Sequence, residues 1–349
     1  MRKWDLPMSL DQLRQETNDK VTRFLWRQWA QLGVASEVEF RDQWIIDPEA
    51  LLVFTLELGR TDPRLIDEVI DWGVRNGRWL SLQRLRNVAE SSAGQDTARA
   101  IAAFAAAMDA RERKSRWKAL CPAVRDTQPE PEAYFVDATG RPLPLVGEPD
   151  QGFLRAGYLR PRISARGMSM PVPMRPPTNL LFRLRALFGL GPRAEAVAYL
   201  LTHQAAHASE VARGARYSHT QVQDALAELA SSDFAFVRLR GRQKVYALDA
   251  QQWRRFLEMD EPLPLWIHWP RALAAVSRLS SFLARVSSEE VSDYLLRSEI
   301  RTISDELQTQ LGDTGLANPF EKSLSTDDAY AAFEGRVRAI AEQLAPNSR

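Results

Sequence analysis

The chain of 349 residues has 46 Lys or Arg against 45 Asp or Glu, a formal net charge of +1, and 45% hydrophobic residues. These ordinary values exclude a disordered chain and leave room for two or three domains, each with its own core. The one cysteine, Cys121, excludes an intrachain disulfide and suits a reducing compartment. No apolar run reaches the roughly 18 residues of a membrane span, and no apolar signal region begins the sequence. We therefore expect a cytoplasmic protein with no membrane partner.

The first 120 residues show the start and stop signals of helices. Ser9 is followed three residues later by Gln12, a capping box that predicts a helix over 9–33. Asp-Pro pairs at 47–48 and 62–63 place proline at the first position of two more helices. Further helices are predicted over 82–89, capped by Ser81, and over 96–117. An all-helical domain over residues 1–120 follows from this pattern.

Two interpretations of the stretch 63–90 stay open. Its helix–turn–helix pattern contains three arginines, Arg78, Arg84 and Arg86. They would allow a second DNA-reading unit, but three consecutive helices with tryptophans on their inner faces more often form a simple packed bundle.

Residues 121–178 form a predicted Pro/Arg-rich linker in which the prolines exclude a long helix. Its basic part is expected either to follow a phosphate backbone or to pack over a domain interface. We expect partial order, because the segment also contains apolar anchors. These are Phe153, Leu154, Tyr158, Leu159 and Ile163.

The charges are unevenly distributed along the chain. From 151 to 245 the sequence has 14 basic residues against five acidic ones, a net charge of +9, so the remainder totals −8. Seven arginines and no acid fall between 151 and 185. A basic stretch flanked by acidic helical segments is typical of a nucleic-acid-binding face, and it favours DNA as the partner.

The stretch 192–249 predicts helix, helix, turn, helix and then two strands. Apolar residues recur at helical spacing in the first helix, and Ser209 is the predicted N-cap of a short second helix over 210–214. Ser218 is the predicted N-cap of the third helix, over 218–231, which buries apolar residues four and three positions apart. The period then changes to two, and Gly241 is suited to the turn of a hairpin over 235–248.

This order of elements resembles a winged helix-turn-helix, the DNA-binding module of MarR- and ArsR-like bacterial regulators, over roughly a sixth of the chain. The resemblance implies that helix 218–231 reads the major groove and that the hairpin, or wing, contacts phosphates or the minor groove. We also predict that the wing cations share one face, because they alternate along the hairpin. The predicted DNA-binding residues are Arg213, Arg216, Ser218, His219, Thr220, Gln221, Gln223, Arg238, Arg240, Arg242 and Lys244. The alternative is a solvated charged hairpin on a protein-interaction module.

The rest of the chain completes a mainly α architecture. A DNA-binding domain is predicted over 179–258, where the amphipathic helix 179–190 is a dimerisation candidate, and an acidic helical domain over 259–349. The sequence has no P-loop, dinucleotide fingerprint or HExxH motif, and no acid or cysteine cluster accompanies His203 and His207. We therefore expect no enzyme, no metal and no cofactor.

The combined patterns predict a bacterial transcriptional regulator that binds double-stranded DNA as a homodimer and acts as a repressor. The alternative is an autoregulatory winged-helix antitoxin or an adaptor whose helical domains bind a partner protein.

Overall fold

The computed structural model describes residues 9–36, 43–91, 95–111, 115–121, 130–241, 243–259, 262–288, 292–321 and 329–346. Within these ranges the chain is mainly helical, with fourteen α-helices and five short strands. The helices are α1 Leu10–Gln31, α2 Pro48–Leu58, α3 Pro63–Asn76, α4 Leu82–Ser91, α5 Gln95–Asp109, α6 Gln151–Arg155, α7 Leu180–Phe188, α8 Pro192–Thr202, α9 Ala208–Ala215, α10 His219–Ser231, α11 Ala250–Phe256, α12 Trp269–Ser288, α13 Asp293–Leu311 and α14 Ala329–Leu344. The strands are β1 Glu132–Ala133, β2 Tyr158–Leu159, β3 Ala206–His207, β4 Phe236–Arg240 and β5 Gln243–Ala247.

The predicted N-terminal helix starts are confirmed. Ser9 Oγ accepts a hydrogen bond from Gln12 N at 3.2 Å, and Gln12 Oε1 accepts one from Ser9 N at 3.0 Å. Asp47 and Asp62 cap α2 and α3 in the same way, accepting from backbone N–H groups at 3.0 and 3.1 Å, with proline at the first helical position. These bonds satisfy N–H groups that the helices leave without internal partners.

The fifth helix is shorter than predicted. It ends at Asp109 rather than running to 117, and a separate 3₁₀ turn over Arg116–Leu120 begins at Ser115, whose side chain accepts from Trp117 N. Residues 112–114 lie outside the described part of the chain. The break lets the chain turn back so that the fully buried Trp117 packs edge-on against Phe104 of α5, with ring centroids 5.5 Å apart.

The main hydrophobic core is built from both ends of the chain. Helices α12 and α14 pack against α1, and α12 also packs against α2. Phe24 of α1 contacts Trp269 of α12 with ring centroids 5.2 Å apart, and Lys20 Nζ donates to Ala345 O at 2.8 Å. The expectation of a separate core for each helical segment was therefore wrong. The C-terminal helices cover apolar faces that α1 and α2 leave open, and one continuous core results.

The Pro/Arg-rich segment packs on the helical body, which is one of the two predicted alternatives. Its aromatic residues Tyr134, Phe153 and Tyr158 are buried, and their rings meet edge-on at 5.0–5.2 Å. Two of its arginines form ion pairs with α3: Arg160 with Asp67 and Arg166 with Glu68. Acids from elsewhere in the chain thus neutralise part of the basic run.

Helices α7 to α11 surround two smaller apolar clusters beside the main core. Strands β3, β5 and β4 form an antiparallel sheet in that order, with β5 in the centre. No helix in the described ranges combines the length and apolarity that crossing a bilayer requires.

Candidate nucleic-acid interface

Residues 192–247 form the central unit, which consists of α8, β3, α9, α10 and the β4–β5 hairpin. One apolar cluster holds it together, with Leu200 of α8, Val211 of α9 and Val222 of α10 buried against Tyr246 of β5. The apolar positions of α10 lie four and three residues apart, so they form one stripe. Its opposite face is left to solvent.

Helix α9 begins earlier than predicted. Its N-cap is His207, whose backbone N–H donates to Glu210 Oε2 at 2.7 Å, so Ser209 is not the cap. The helix also runs one residue beyond its predicted end at Gly214, to Ala215. A Cβ at this glycine would lie 2.6 Å from the Tyr199 ring. Glycine therefore allows α9 to approach α8 closely.

The turn between α9 and α10 contains a residue in the left-handed region. Arg216 has φ 58° and ψ 40°, a conformation that side chains other than glycine and asparagine seldom adopt. Tyr217 follows with a buried ring, and its hydroxyl lies 2.8 Å from Ser81 Oγ at the start of α4. Burial is the main cause that raises the pKa of Tyr217 to about 12. The phenol is therefore neutral and forms a fixed contact between the two parts.

Two of the predicted DNA-binding residues form the start of α10. Ser218 Oγ accepts from Gln221 N at 3.3 Å, and Gln221 Oε1 accepts from Ser218 N at 3.3 Å and from Ser218 Oγ at 3.0 Å. This reciprocal pair is a capping box. Gln221 also contacts Gln83 of α4, with side-chain N–O distances of 3.3 and 3.5 Å. Its amide is therefore not a free hydrogen-bonding group, as the sequence interpretation required.

Three other predicted residues of α10 are exposed on its first two turns: His219, Thr220 and Gln223. Arg213 of α9 is also exposed. Further along α10, Glu228 pairs with Arg193 of α8. The start of α10 therefore presents the hydrogen-bonding groups of His219, Thr220 and Gln223, and the exposed acid Asp224 follows them directly.

The hairpin cations do not all share one face. Arg238 lies opposite Val245, Leu239 opposite Lys244, and Arg240 opposite Gln243. Directly opposed side chains project to the same face of a sheet and successive ones alternate, so Arg238 and Arg240 share a face while Lys244 projects to the other. The predicted single face was therefore wrong for Lys244.

The physical reason is the register that the hairpin turn imposes. Gly241, with φ 64°, begins the turn, and the fifth residue of β4 then pairs with the first of β5. Side-chain alternation must be counted across this pairing rather than along the sequence. Arg242 lies outside the described residues.

Helix α4 of the N-terminal body lies against the turn and the start of α10. Asn87 Nδ2 donates to Arg216 O at 2.8 Å, and Arg216 Nη2 donates to Asn87 O at 3.1 Å. Together with the Gln83–Gln221 contact, these bonds place α4 at the N-terminal end of α10. Neither Gln83 nor Asn87 is a predicted site residue, because only the tertiary arrangement brings them to the turn and the start of α10.

A buried ion cluster joins α4 to the central unit. Arg84 donates to both oxygens of Asp47, at 2.6 and 2.5 Å, and to Glu49 at 2.6 Å, while its Nε donates to Ala215 O at 2.9 Å. Arg185 donates to Glu49 at 2.7 and 2.8 Å and to Glu195 of α8 at 2.5 Å. We call these five charged side chains the buried ion cluster.

The cluster shifts the pKa values of its members in different directions. Burial opposes the charged form of Asp47, but the Arg84 guanidinium, the Ala50 N–H and Arg185 together outweigh it and lower the pKa of that carboxyl. Burial also opposes the charged form of Arg84, yet Asp47 and Glu195 raise its pKa well above the usual value. For Glu195 burial dominates over the two arginines, and the pKa is raised. The Arg84–Asp47 pair is thus the firmly ionised part of the cluster.

The structure shows where the three arginines of the second predicted DNA-reading unit lie. Arg84 is buried in the ion cluster and has no access to a ligand. Arg78 stacks over Trp79, with its guanidinium carbon 4.9 Å from the ring centroid. Arg86 is exposed on α4. The stretch 63–90 therefore packs as part of the body.

No protein-family model matches this chain, and neither the search of curated proteins nor that of solved structures found a significant match.

Proposed function

We propose that the central unit is a winged helix-turn-helix and that the protein binds double-stranded DNA sequence-specifically, as a dimeric transcriptional repressor. The observation that carries this proposal is the set of exposed hydrogen-bonding residues His219, Thr220 and Gln223 at the start of α10, beside a hairpin with two exposed arginines on one face. In this proposal α10 is the recognition helix, and the β4–β5 hairpin is the wing.

Base reading rests on the exposed residues of α10. The major groove of B-DNA, about 12 Å wide, admits an α-helix, and its base edges offer hydrogen-bond donors and acceptors. Gln223 presents an amide with both groups, and His219 and Thr220 present polar groups one turn earlier. Ser218 and Gln221 act indirectly in this scheme, because their capping box fixes the start of the helix.

Affinity comes from the cations of the wing and the turn. Arg238 and Arg240 are exposed two residues apart on one strand, and Arg213 is exposed on α9. Each phosphate that such a cation neutralises releases condensed counterions and steepens the salt dependence of binding by about 0.9 in log–log slope. Lys244, on the other face of the hairpin, belongs to a different contact from the two arginines.

A dimer would place two recognition helices roughly 34–36 Å apart, which is one turn of DNA. Helix α7, the dimerisation candidate, uses Leu180, Leu181 and Leu184 in the core of its own chain. Leu187 and Leu190, at and just beyond its C-terminal end, are 54% and 38% exposed. We therefore propose this end of α7 as the contact between protomers.

The first experiment is a gel-shift titration with a duplex from the gene's own upstream region, a scrambled competitor and two salt concentrations. Tight, salt-sensitive binding that survives the competitor supports the proposal. An absence of binding below about 10 µM, in the range of non-specific affinities, refutes it.

Replacing both wing arginines tests their role. The variant Arg238→Ala/Arg240→Ala is expected to weaken binding to specific and scrambled duplexes alike and to reduce the salt slope by about 2. Arg297→Ala/Arg301→Ala is the matched control, since both arginines are exposed on α13, which packs against α12 and α14. The wing assignment is wrong if the two double variants have the same slope.

A second candidate function is binding of a partner protein, as in an antitoxin or adaptor. The exposed apolar residues in and beside the wing favour it, because Phe234, Phe236 and Leu239 are 44%, 50% and 73% exposed. Exposed aromatic and aliphatic groups of this kind are typical of protein contacts. Co-purification of a second gene product with a protein that does not bind DNA would favour this function over the first.

A further inference from the structure

We propose that α4 of the N-terminal body extends the DNA-binding surface, with Arg86 bound to a backbone phosphate at the edge of the groove that α10 enters. This inference rests on the proposed function, since it assigns a further contact in the same complex. It adds a charged group from outside the central unit to the interface.

Helices α4 and α10 are held together by buried contacts and behave as one body. Two side chains of α4, Arg84 and Asn87, hydrogen-bond the backbone oxygens of Ala215 and Arg216 in the turn, and Ser81 contacts the Tyr217 hydroxyl. The Arg84 guanidinium is held in turn by the buried ion cluster. Moving α4 away from α10 would leave these buried charges and polar groups without partners, which is strongly unfavourable for buried ion pairs. DNA that meets α10 therefore also meets α4.

One face of α4 is turned towards the start of α10. Positions 83, 86, 87 and 90 are three, four and seven residues apart, so they lie on one face of the helix. Gln83 and Asn87 on this face contact the start of α10 and the turn. Arg86 and Glu90, on the same face, are exposed. The arginine therefore emerges beside the N-terminal end of α10.

Helix α4 flanks α10 and does not cover it. Among the contacts of the described residues, those from α4 reach the turn, the N-cap region and Gln221. His219, Thr220 and Gln223 remain exposed. The contacts from α4 lie at the turn and the start of α10, so α4 stands at the N-terminal end of the recognition helix. In the proposed complex α4 therefore lies outside the base-reading residues of α10, beside the phosphates at the edge of the groove.

The groove between α4 and the α9–α10 turn is lined by charged residues of both signs. This groove of about 500 Å³ separates α4 from the turn, and its lining includes Arg213 and Arg216 together with Glu90. Arg86 lies four residues before Glu90 on the same face of α4 and is exposed. The arginines attract backbone phosphates and Glu90 repels them, so α4 carries one favourable and one unfavourable charge.

Two single substitutions with opposite expected effects test the proposal. Arg86→Ala should weaken binding to every duplex about eightfold at 0.1 M salt and lower the salt slope by about 0.9, as expected for one lost phosphate contact. Glu90→Gln should strengthen binding, because it removes a repulsive charge from the groove. Arg301→Ala on α13 is the control for loss of one exposed cation. Binding is measured by fluorescence anisotropy at several salt concentrations, with a duplex that the wild-type protein binds.

Phosphate ethylation interference supplies an independent readout. The wild-type protein should show one sensitive phosphate at the groove rim that becomes insensitive in Arg86→Ala while the other positions keep their sensitivity. Equal salt slopes for Arg86→Ala and Arg301→Ala would overturn the inference, and so would tighter binding by Arg86→Ala, which would mean that α4 hinders DNA. If the wild-type protein binds no duplex, the proposed function fails first and the inference fails with it. A wild-type protein that binds DNA while Arg86→Ala behaves as the control refutes the inference alone.

Discussion

The buried ion cluster offers the sharpest test of how the N-terminal body is attached to the central unit. Replacing Arg84 with methionine keeps most of the side-chain volume but removes the charge. Asp47 would then lose both hydrogen bonds to the guanidinium, Glu49 would keep only Arg185 and the Ser81 N–H, and Ala215 O would lose the Arg84 donor. The variant therefore leaves buried acceptors and excess negative charge in a region from which water is excluded.

The magnitude follows from the burial of the partners. Arg84 and Asp47 are 2% and 8% exposed, and Glu49 is fully buried. Removing one partner of a buried ion pair costs about 3–5 kcal/mol. A domain is stable by only about 5–15 kcal/mol, so the loss is a large part of the total. Arg84→Lys should lose less, because an ammonium keeps the charge but not the planar fork that reaches Asp47 with two bonds.

Urea denaturation followed by tryptophan fluorescence and circular dichroism measures the change. Arg86→Ala is the matched control, because this arginine is exposed on the same helix, and its free energy of unfolding should stay within about 0.5 kcal/mol of the wild type. If Arg84→Met unfolds at the same urea concentration as Arg86→Ala, the cluster does not stabilise the attachment and the reasoning fails.

Three further predictions concern single positions. Gly214→Ala should destabilise the protein by about 1–3 kcal/mol in the same urea assay, because its Cβ would overlap the Tyr199 ring. Burial lowers the pKa of His268 to about 4, so this neutral side chain stabilises the fold fully above pH 6.5 and progressively less as the pH falls towards 4. Between pH 6.5 and 4, the free energy of unfolding of the wild type should therefore fall by about 3 kcal/mol more than that of His268→Phe. Identical pH profiles for the two proteins would contradict this prediction. Gln223→Ala should relax base preference by about 1–3 kcal/mol in competition binding, while Gln221→Ala should mainly lower stability through its cap.

The helix starts of the N-terminal body were predictable because capping is local. Ser9 and Gln12, or Asp47 and the proline that follows, carry the whole signal within four residues. The same holds for the start of α10 at Ser218. For this reason the order of elements in the central unit was predicted nearly as observed, although the hairpin register that separates Lys244 from Arg238 was not.

Interactions between distant segments could not be read from the sequence. The seven arginines from 151 to 185 count towards a predicted nucleic-acid-binding face, yet Arg160 and Arg166 pair with acids of α3, and Arg185 is fully buried between Glu49 and Glu195. A charge count along one segment does not include partners that folding brings from others. The same limit applies to the role of α4, since Asn87 and Arg216 are 129 positions apart.

Strand β4 is an edge strand of its sheet, and this position has a consequence for self-association. Among the described strands, β5 pairs with both neighbours, whereas β4 pairs with β5 alone and exposes Phe236, Val237 and Leu239. Such an edge is a template for intermolecular β-pairing. Antiparallel pairing of two β4 strands centred on Arg238 or on Leu239 would set arginine opposite arginine. The repulsion between these charges therefore disfavours aggregation through this strand. Concentrated salt screens that repulsion, and preparations kept in it should form strand-paired oligomers more readily than dilute-salt ones.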